Sequence, residues 1–266
     1  MIDYNKRDIF NSLKKVGLKK NDIIFVNPEL FKFGKIADIN DKNQYYEIFL
    51  KFILEIIGPG GTLLANTYSF QTSRYKKKFI HEKTKCSSGT FSEIVRNHKG
   101  SIRSEHPVFS VSAIGKYKNY LCKNNSVHNY GYGSPYQRFL ELKGKVLNLA
   151  TEPFNNPFFH LAEFMSGVPY YYNKLHNIKY YKNNKILKKK FVSFVRYLDL
   201  QIIHNESHLN RYLKKRLNLK QAVLGKSKIY LFDANDYLNH VLNLFNKDVL
   251  SLVKKINFKQ KKYPVK

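Results

Sequence analysis

The chain has 266 residues, with 47 Lys+Arg against 19 Asp+Glu and a formal net charge of +28. Its 43% hydrophobic and 15% aromatic content excludes a disordered chain and is ample for a buried core. Two cysteines, Cys86 and Cys122, exclude a disulfide scaffold and a multi-cysteine zinc module, and read as free thiols of a reducing compartment.

In chain order, residues 5–17 place Ile9, Phe10, Leu13 and Val16 on one helical face, closed by Gly17. Residues 22–27 (DIIFVN) read as a buried strand broken at Pro28. Tyr46, Phe49, Phe52, Ile53, Ile56 and Ile57 set a second helix over 43–57. The turn Gly58-Pro59-Gly60-Gly61 follows, then a strand over 62–67 (TLLANT). Helix, turn and strand at this spacing predict a layered α/β domain. Residues 70–88, polar and basic, read as a long surface loop. A helix over 90–98, a strand over 107–114, a short helix over 117–121, a Gly-rich loop over 128–135, a helix over 135–142 and a buried strand over 145–150 come next. Residues 170–200 alternate aromatic and basic residues around Lys182-Asn183-Asn184, which predicts a β-hairpin. Residues 205–218 read as a helix, 228–232 as a strand and 236–245 as a helix capped near Asp233 or Asn235. The tail from Ser251 carries six Lys and no acid and is expected to fray. The expected organisation is one domain over 1–250 and a basic tail over 251–266.

The charge invites a nucleic-acid partner, because phosphate binding releases counterions. Only eight of the 47 basic residues are Arg, the residue suited to bidentate phosphate and base contacts. The excess is Lys, in company with Asn, Ile, Tyr and Phe, a profile that biased base composition produces without any partner. No zinc-finger spacing or aromatic RNA-binding motif occurs. Nucleic acid is therefore not the expected partner, while small polyanions such as nucleotides or coenzyme A suit a basic surface. No apolar run is long enough for a membrane span, and residues 1–6 carry Asp3 and no apolar signal region. A cytoplasmic location is expected.

The most informative stretch is Asn155-Asn156-Pro157-Phe158-Phe159-His160-Leu161-Ala162-Glu163, directly after a buried strand. Asn156 suits a helix N-cap and Pro157 the first helical position. His160 then falls in the first turn, where the helix dipole disfavours an imidazolium. Glu163, at i+3, shares its face. A neutral imidazole beside a carboxylate is a general base in kind. An ordinary histidine at a surface helix start fits the same residues. In Arg103-Ser104-Glu105-His106-Pro107, His106 precedes a proline and is extended, placed to line a pocket or to bond locally. Gly131 and Gly133 allow close approach to a ligand or simply make a tight connection. Cys86 lies in a basic stretch that favours the thiolate, or it is a bystander. No phosphate-binding Gly-rich loop, nucleophile elbow or zinc spacing occurs.

Taken together and in order, these motifs resemble the aminoglycoside 3-N-acetyltransferase family. The landmarks are Phe33-Gly34, Gly58-Pro59-Gly60-Gly61-Thr62-Leu63, Thr67-Tyr68-Ser69, and Arg103-Ser104-Glu105-His106-Pro107 with Ser110. Ser112-Ala113-Ile114-Gly115, Gly131-Tyr132-Gly133-Ser134-Pro135, Gly144-Lys145-Val146-Leu147, Phe159-His160-Leu161-Ala162-Glu163 and Gly225-Lys226-Ser227-Lys228 complete the set. The resemblance runs from residue 8 to residue 245.

The resemblance implies a single-domain α/β fold of the antibiotic N-acetyltransferase type. It implies a central mixed β-sheet flanked by helices, with the β-hairpin as an insertion. It also implies transfer of an acyl group from acetyl-CoA or another acyl-CoA to a primary amine in a ternary complex, with no metal. The family's catalytic histidine falls on His160, with Glu163 beside it, and His106 would position the acceptor or tune His160. The coenzyme is expected along Leu30, Phe33, Tyr68, Ser69, Ser110, Val111 and Ser112. Ser110, Tyr68 or a backbone N–H would stabilise the oxyanion. The acceptor is expected near Asn27, Glu29, His128 and Tyr132.

Two departures bear on the acceptor. Val26-Asn27-Pro28-Glu29-Leu30 stands where the family commonly has Val-His-Ser-Ser-Leu, and Pro157 stands where it usually has Thr. A +28 protein is also a poor electrostatic match for a polycationic antibiotic. The acceptor expected is therefore a nucleotide-linked amino sugar of surface-polysaccharide biosynthesis. The alternatives are an aminoglycoside 3-N-acetyltransferase and a non-catalytic basic binding protein on the same fold. The oligomeric state is left open.

Overall fold

The computed structural model describes residues 2–37, 39 and 41–256. Helix α1 (Lys6–Lys15) starts in a capping box, with Asn5 and Asp8 each accepting the other's backbone N–H. Strand β1 (Ile23–Pro28) leads through a 3-10 turn, Leu30–Phe33, to helix α2 (Lys42–Ile57). The turn after α2 needs its glycines: a Cβ on Gly61 would lie 2.6 Å from that of Ile57. Strand β2 (Thr62–Asn66) follows as expected.

Residues 70–88 correct the reading of one long surface loop. They form helix α3 (Phe70–Arg74) and strand β3 (Phe79–Ile80), with Thr72 and Phe79 fully buried. Helix α4 (Thr90–Asn97) and strand β4 (Ile102–Arg103) come next. Strand β5 (Val111–Gly115) begins four residues later than its expected start at Pro107. The reason is a turn: the ring Nδ1 of His106 accepts the N–H groups of Val108 and Phe109 at 3.2 and 3.0 Å, which a straight strand cannot allow.

Helices α5 (Lys118–Cys122) and α6 (Pro135–Glu141), strand β6 (Lys145–Leu149) and helix α7 (Pro157–Met165) follow. The predicted hairpin is deeper than one pair. Strand β7 (Tyr171–His176) returns as β10 (Phe191–Arg196), and between them β8 (Tyr180–Lys182) and β9 (Lys185–Leu187) form the tip. Asn183 and Asn184 both have positive φ, +49° and +59°, as a two-residue hairpin turn demands. The tip is anchored where β8 pairs with β3, and where Glu105 takes Lys182 and Lys189 at 2.6 and 3.0 Å.

The chain ends with β11 (Ile203–His204), α8 (Glu206–Arg216), β12 (Lys220–Leu224), β13 (Ser227–Asp233), α9 (Ala234–Lys247, capped by Asp233) and β14 (Val253–Lys255). Fraying does not begin at Ser251: Leu252 is buried and β14 pairs with β11. The rest of the expected basic tail, 257–266, lies outside the described residues.

Among the described residues the main sheet runs β12-β13-β6-β1-β2-β5-β4. β1 is parallel to β2 and β6, and the outer pairs are antiparallel. The sheet is therefore mixed. Period-2 alternation sends Ile24 and Val26 to one core, with Ile9 and Leu13 of α1, Phe49 and Ile53 of α2, and Phe91 of α4. Phe25 and Leu64 face the other, with Phe139 of α6, Phe158 of α7, Leu213 of α8 and Val241 of α9. A sheet covered on both faces explains the unbroken apolar character of β1 and β2.

Candidate active site

The site grows from the C-terminal end of β6, where a loop turns into α7. Asn156 caps that helix: its side chain accepts the N–H of Phe158 at 3.0 Å, and Pro157 occupies the first position. His160 therefore stands in the first turn, half-exposed, with Glu163 fully buried one turn on. His160 Nδ1 lies 2.6 Å from Glu163 Oε2. With Nδ1 donating to the carboxylate, Nε2 is the ring's free acceptor. The Tyr171 hydroxyl lies 3.2 Å from the same Nδ1. The other carboxylate oxygen, Oε1, takes Nε2 of His204 at 2.8 Å. Burial alone would raise the Glu163 pKa, but the bonds from the two imidazoles outweigh it and hold the carboxyl down at about 2.

His160, Tyr171 and His204 line a cleft of about 500 Å³ between α7, the β7–β10 hairpin and α3. Phe109, Tyr130, Phe154 and Phe194 supply apolar walls. Arg74, Lys174 and Arg196 stand on its rim, with Glu206 as the acid. A larger groove of about 1040 Å³ runs between α2 and α4 but touches none of His160, Glu163 and His204. Cys86 lies there, and burial, with Glu93 beside it, pushes its thiol up to about 11. The thiolate favoured by the basic sequence around it is thus suppressed. The smaller cleft is where proton-transfer groups and open space meet.

His106 is not part of the cleft, which corrects its expected catalytic place. Its Nδ1 accepts two backbone N–H groups, and its Nε2 lies 3.1 Å from the Val192 carbonyl and 3.2 Å from Ser193 Oγ. Both ring nitrogens are occupied, and burial pushes its pKa down to about 3. Arg103, Ser104 and His106 of the 103–107 motif face inward, while Glu105 turns to Lys182 and Lys189. The Arg103 guanidinium bonds the Thr67, His81 and Thr84 carbonyls and the Ser69 and Ser110 hydroxyls. Ser104 Oγ accepts the Val111 N–H.

The expected coenzyme residues are also mostly committed elsewhere. Leu30 and Phe33 are buried, and Phe33 stacks on Phe49 at 5.7 Å. Ser69 and Ser110 serve Arg103, Ser110 also donates to the Thr67 carbonyl, and Ser112 bonds the Thr67 hydroxyl. Val111 is fully buried. The Ser110 hydroxyl is therefore taken and does not face an oxyanion. Tyr68 is half-buried, its hydroxyl 2.6 Å from that of Tyr136.

The four expected acceptor residues do not line the cleft. The Asn27 amide donates to the Asn155 carbonyl, and Glu29 accepts from Asn155 and pairs with Lys32. Both thus brace the loop before α7. His128 bonds Asn173 at 2.9 Å and packs on Phe164, while Tyr132 is 91% exposed.

Sequence reading missed His204, Tyr171 and the three rim cations. Their signal is faint: His204 is 41 positions from Glu163 and sits in a two-residue strand. Among the described residues no group of three His, Cys, Asp or Glu is placed to hold a metal ion, and no helix is long and apolar enough to cross a membrane.

The sequence and the fold are similar to those of known proteins. Aminoglycoside N(3)-acetyltransferase III of Salmonella sp. is 24% identical over 260 residues, covering 88% of each chain. The structure of AAC-IIIb in binary complex with CoASH superposes with a TM-score of 0.77 at 19% identity, over 92% of this chain and 97% of that one. AAC-VIa bound to sisomicin gives 0.77 at 20% identity, over 91% and 97%. The family model for aminoglycoside 3-N-acetyltransferase matches residues 33–246, and the chain belongs to that family of acyl-CoA-dependent N-acyltransferases.

Proposed function

We propose that this chain transfers an acyl group from acyl-CoA to an amine of an aminoglycoside-type amino sugar, with His160 as general base. The observation that carries this is the 2.6 Å contact from His160 Nδ1 to Glu163, which leaves Nε2 as the proton acceptor on the cleft. The acceptor class rests on the relatives named as aminoglycoside acetyltransferases.

The amine must be neutral to attack. Nε2 of His160 takes its proton, and the nitrogen lone pair forms a bond to the thioester carbonyl carbon. The C–S bond then breaks, and the coenzyme leaves as a thiol carrying the proton. Glu163 stabilises the imidazolium formed on the way. The rim cations Arg74, Lys174 and Arg196 suit the phosphates of the coenzyme. Two free thiols and an acyl-CoA cosubstrate suit the cytoplasm.

The same rim favours a second reading, a nucleotide-linked amino sugar as acceptor. Three cations against Glu206 suit an anionic acceptor better than a polycation. A thiol-release assay decides between them. Turnover with several aminoglycosides and none with nucleoside-diphosphate amino sugars sinks the second reading, and the reverse pattern sinks the first. Calorimetry showing no coenzyme A binding at about millimolar concentration, an affinity weaker than about −4 kcal/mol, would remove both.

A further inference from the structure

We infer that His204 is a positioning residue of the acyl-transfer site, acting on His160 through Glu163; this rests on the reading of His160 as base. Glu163 divides its oxygens between two rings, Oε2 to His160 at 2.6 Å and Oε1 to His204 at 2.8 Å. The terminal torsion of a glutamate is broad and sets little by itself. Bonds on both oxygens fix the carboxylate plane, and with it the His160 ring. They also compensate a buried charge that would otherwise be poorly satisfied.

His204 is itself held. Its ring lies edge-on to Phe159 at 5.0 Å and within 6.1 Å of the Phe154 and Tyr170 rings. Its backbone pairs with Val253 of β14, and the neighbouring Asn205 N–H donates to the Leu252 carbonyl at 2.8 Å. The ring is thus fixed from α7, from the loop before it and from the last described strand. Its Nε2 has one task in this frame, to hold Glu163 in place while His160 gains a positive charge.

The test is a kinetic comparison of His204→Phe, which keeps the ring and loses the donor, with His204→Gln, which keeps a donor at similar reach. Misplacing a catalytic group by an ångström costs about a hundredfold, so His204→Phe is expected to lower kcat about 10- to 100-fold with KM changed less than about threefold. His204→Gln is expected to recover most of that loss. In a Glu163→Gln background, where the charge to be oriented is gone, adding His204→Phe should cost less than about threefold, because residues in one network do not add. A His204→Phe enzyme within about threefold of the parent kcat overturns the inference, as does an equal loss in both His204 variants or full additivity with Glu163→Gln. His160→Ala run alongside separates the failures: an enzyme that keeps its rate without His160 overturns the base reading itself.

Discussion

His160 and Glu163 meet at 2.6 Å across one turn of α7, one half-exposed to the cleft and the other wholly inside the protein. The pairing gives the half-exposed ring a fixed tautomer and a buried counter-charge. It follows that His160→Ala should lower kcat about 10²–10⁴-fold, the usual span for a general base. The variant should also melt below the parent, because the fully buried Glu163 carboxylate loses one of its two donors. Steady-state kinetics with a thermal melt checks both. A loss smaller than about tenfold would remove His160 from the base role.

Much of this site is legible in the sequence, and the reason is local. Asn156, Pro157, His160 and Glu163 lie within eight positions, so capping rules and the helical repeat place them without help from the rest of the chain. The two faces of β1 are legible for the same reason, since Ile24, Phe25 and Val26 alternate between two cores. His204 is illegible because its contact closes over 41 residues and depends on the pairing of a two-residue strand with a three-residue one. Strands that short carry no period. The 103–107 motif shows the other limit. Its residue types suit a pocket, but sequence does not reveal that Arg103, Ser104 and His106 all turn inward to neighbouring carbonyls, hydroxyls and N–H groups.

Arg103 should then matter for stability. It is 7% exposed and bonds three carbonyls and two hydroxyls in the segments that follow β2 and β3 and precede β5. Burial brings its pKa down to about 10, so it stays charged at neutral pH. Arg103→Met would leave several buried acceptors without donors, each costing about 1–3 kcal/mol, for a total loss of at least about 3 kcal/mol. Urea denaturation measures it. A change below about 1 kcal/mol would mean that the acceptors find other donors.

Removing residues 251–266 deletes β14 and the Leu252 carbonyl that holds Asn205. The loss should reach the cleft through His204, lowering kcat about 10- to 100-fold. The same truncation made in His204→Phe should lower kcat little further, because both changes act on one element. Additive losses would show that the segment serves the enzyme by another route.

The last expectation concerns acid. Burial pushes the pKa of His106 down to about 3, that of His176 down to about 4 with Lys174 adding to it, and that of His81 down to about 4 with Arg103 adding to it. Unfolded histidines titrate near 6.5. Between those limits the unfolded chain binds protons that the native protein refuses, so stability is full above pH 6.5 and falls as pH drops through the window. Each group adds up to a tenfold fall in the folded-to-unfolded ratio per pH unit. Glu163 is held down at about 2, so its contribution begins to fade only below its unfolded value of 4.5 and is lost towards pH 2. The first acid loss is therefore histidine-driven. Urea midpoints from pH 7 to pH 5 should fall steadily for the parent. His106→Gln, whose amide supplies an acceptor but no titrating ring, should start lower and fall less steeply. Parallel slopes for the two proteins would show that His106 titrates alike in both states and that its buried contacts do not set the acid limit.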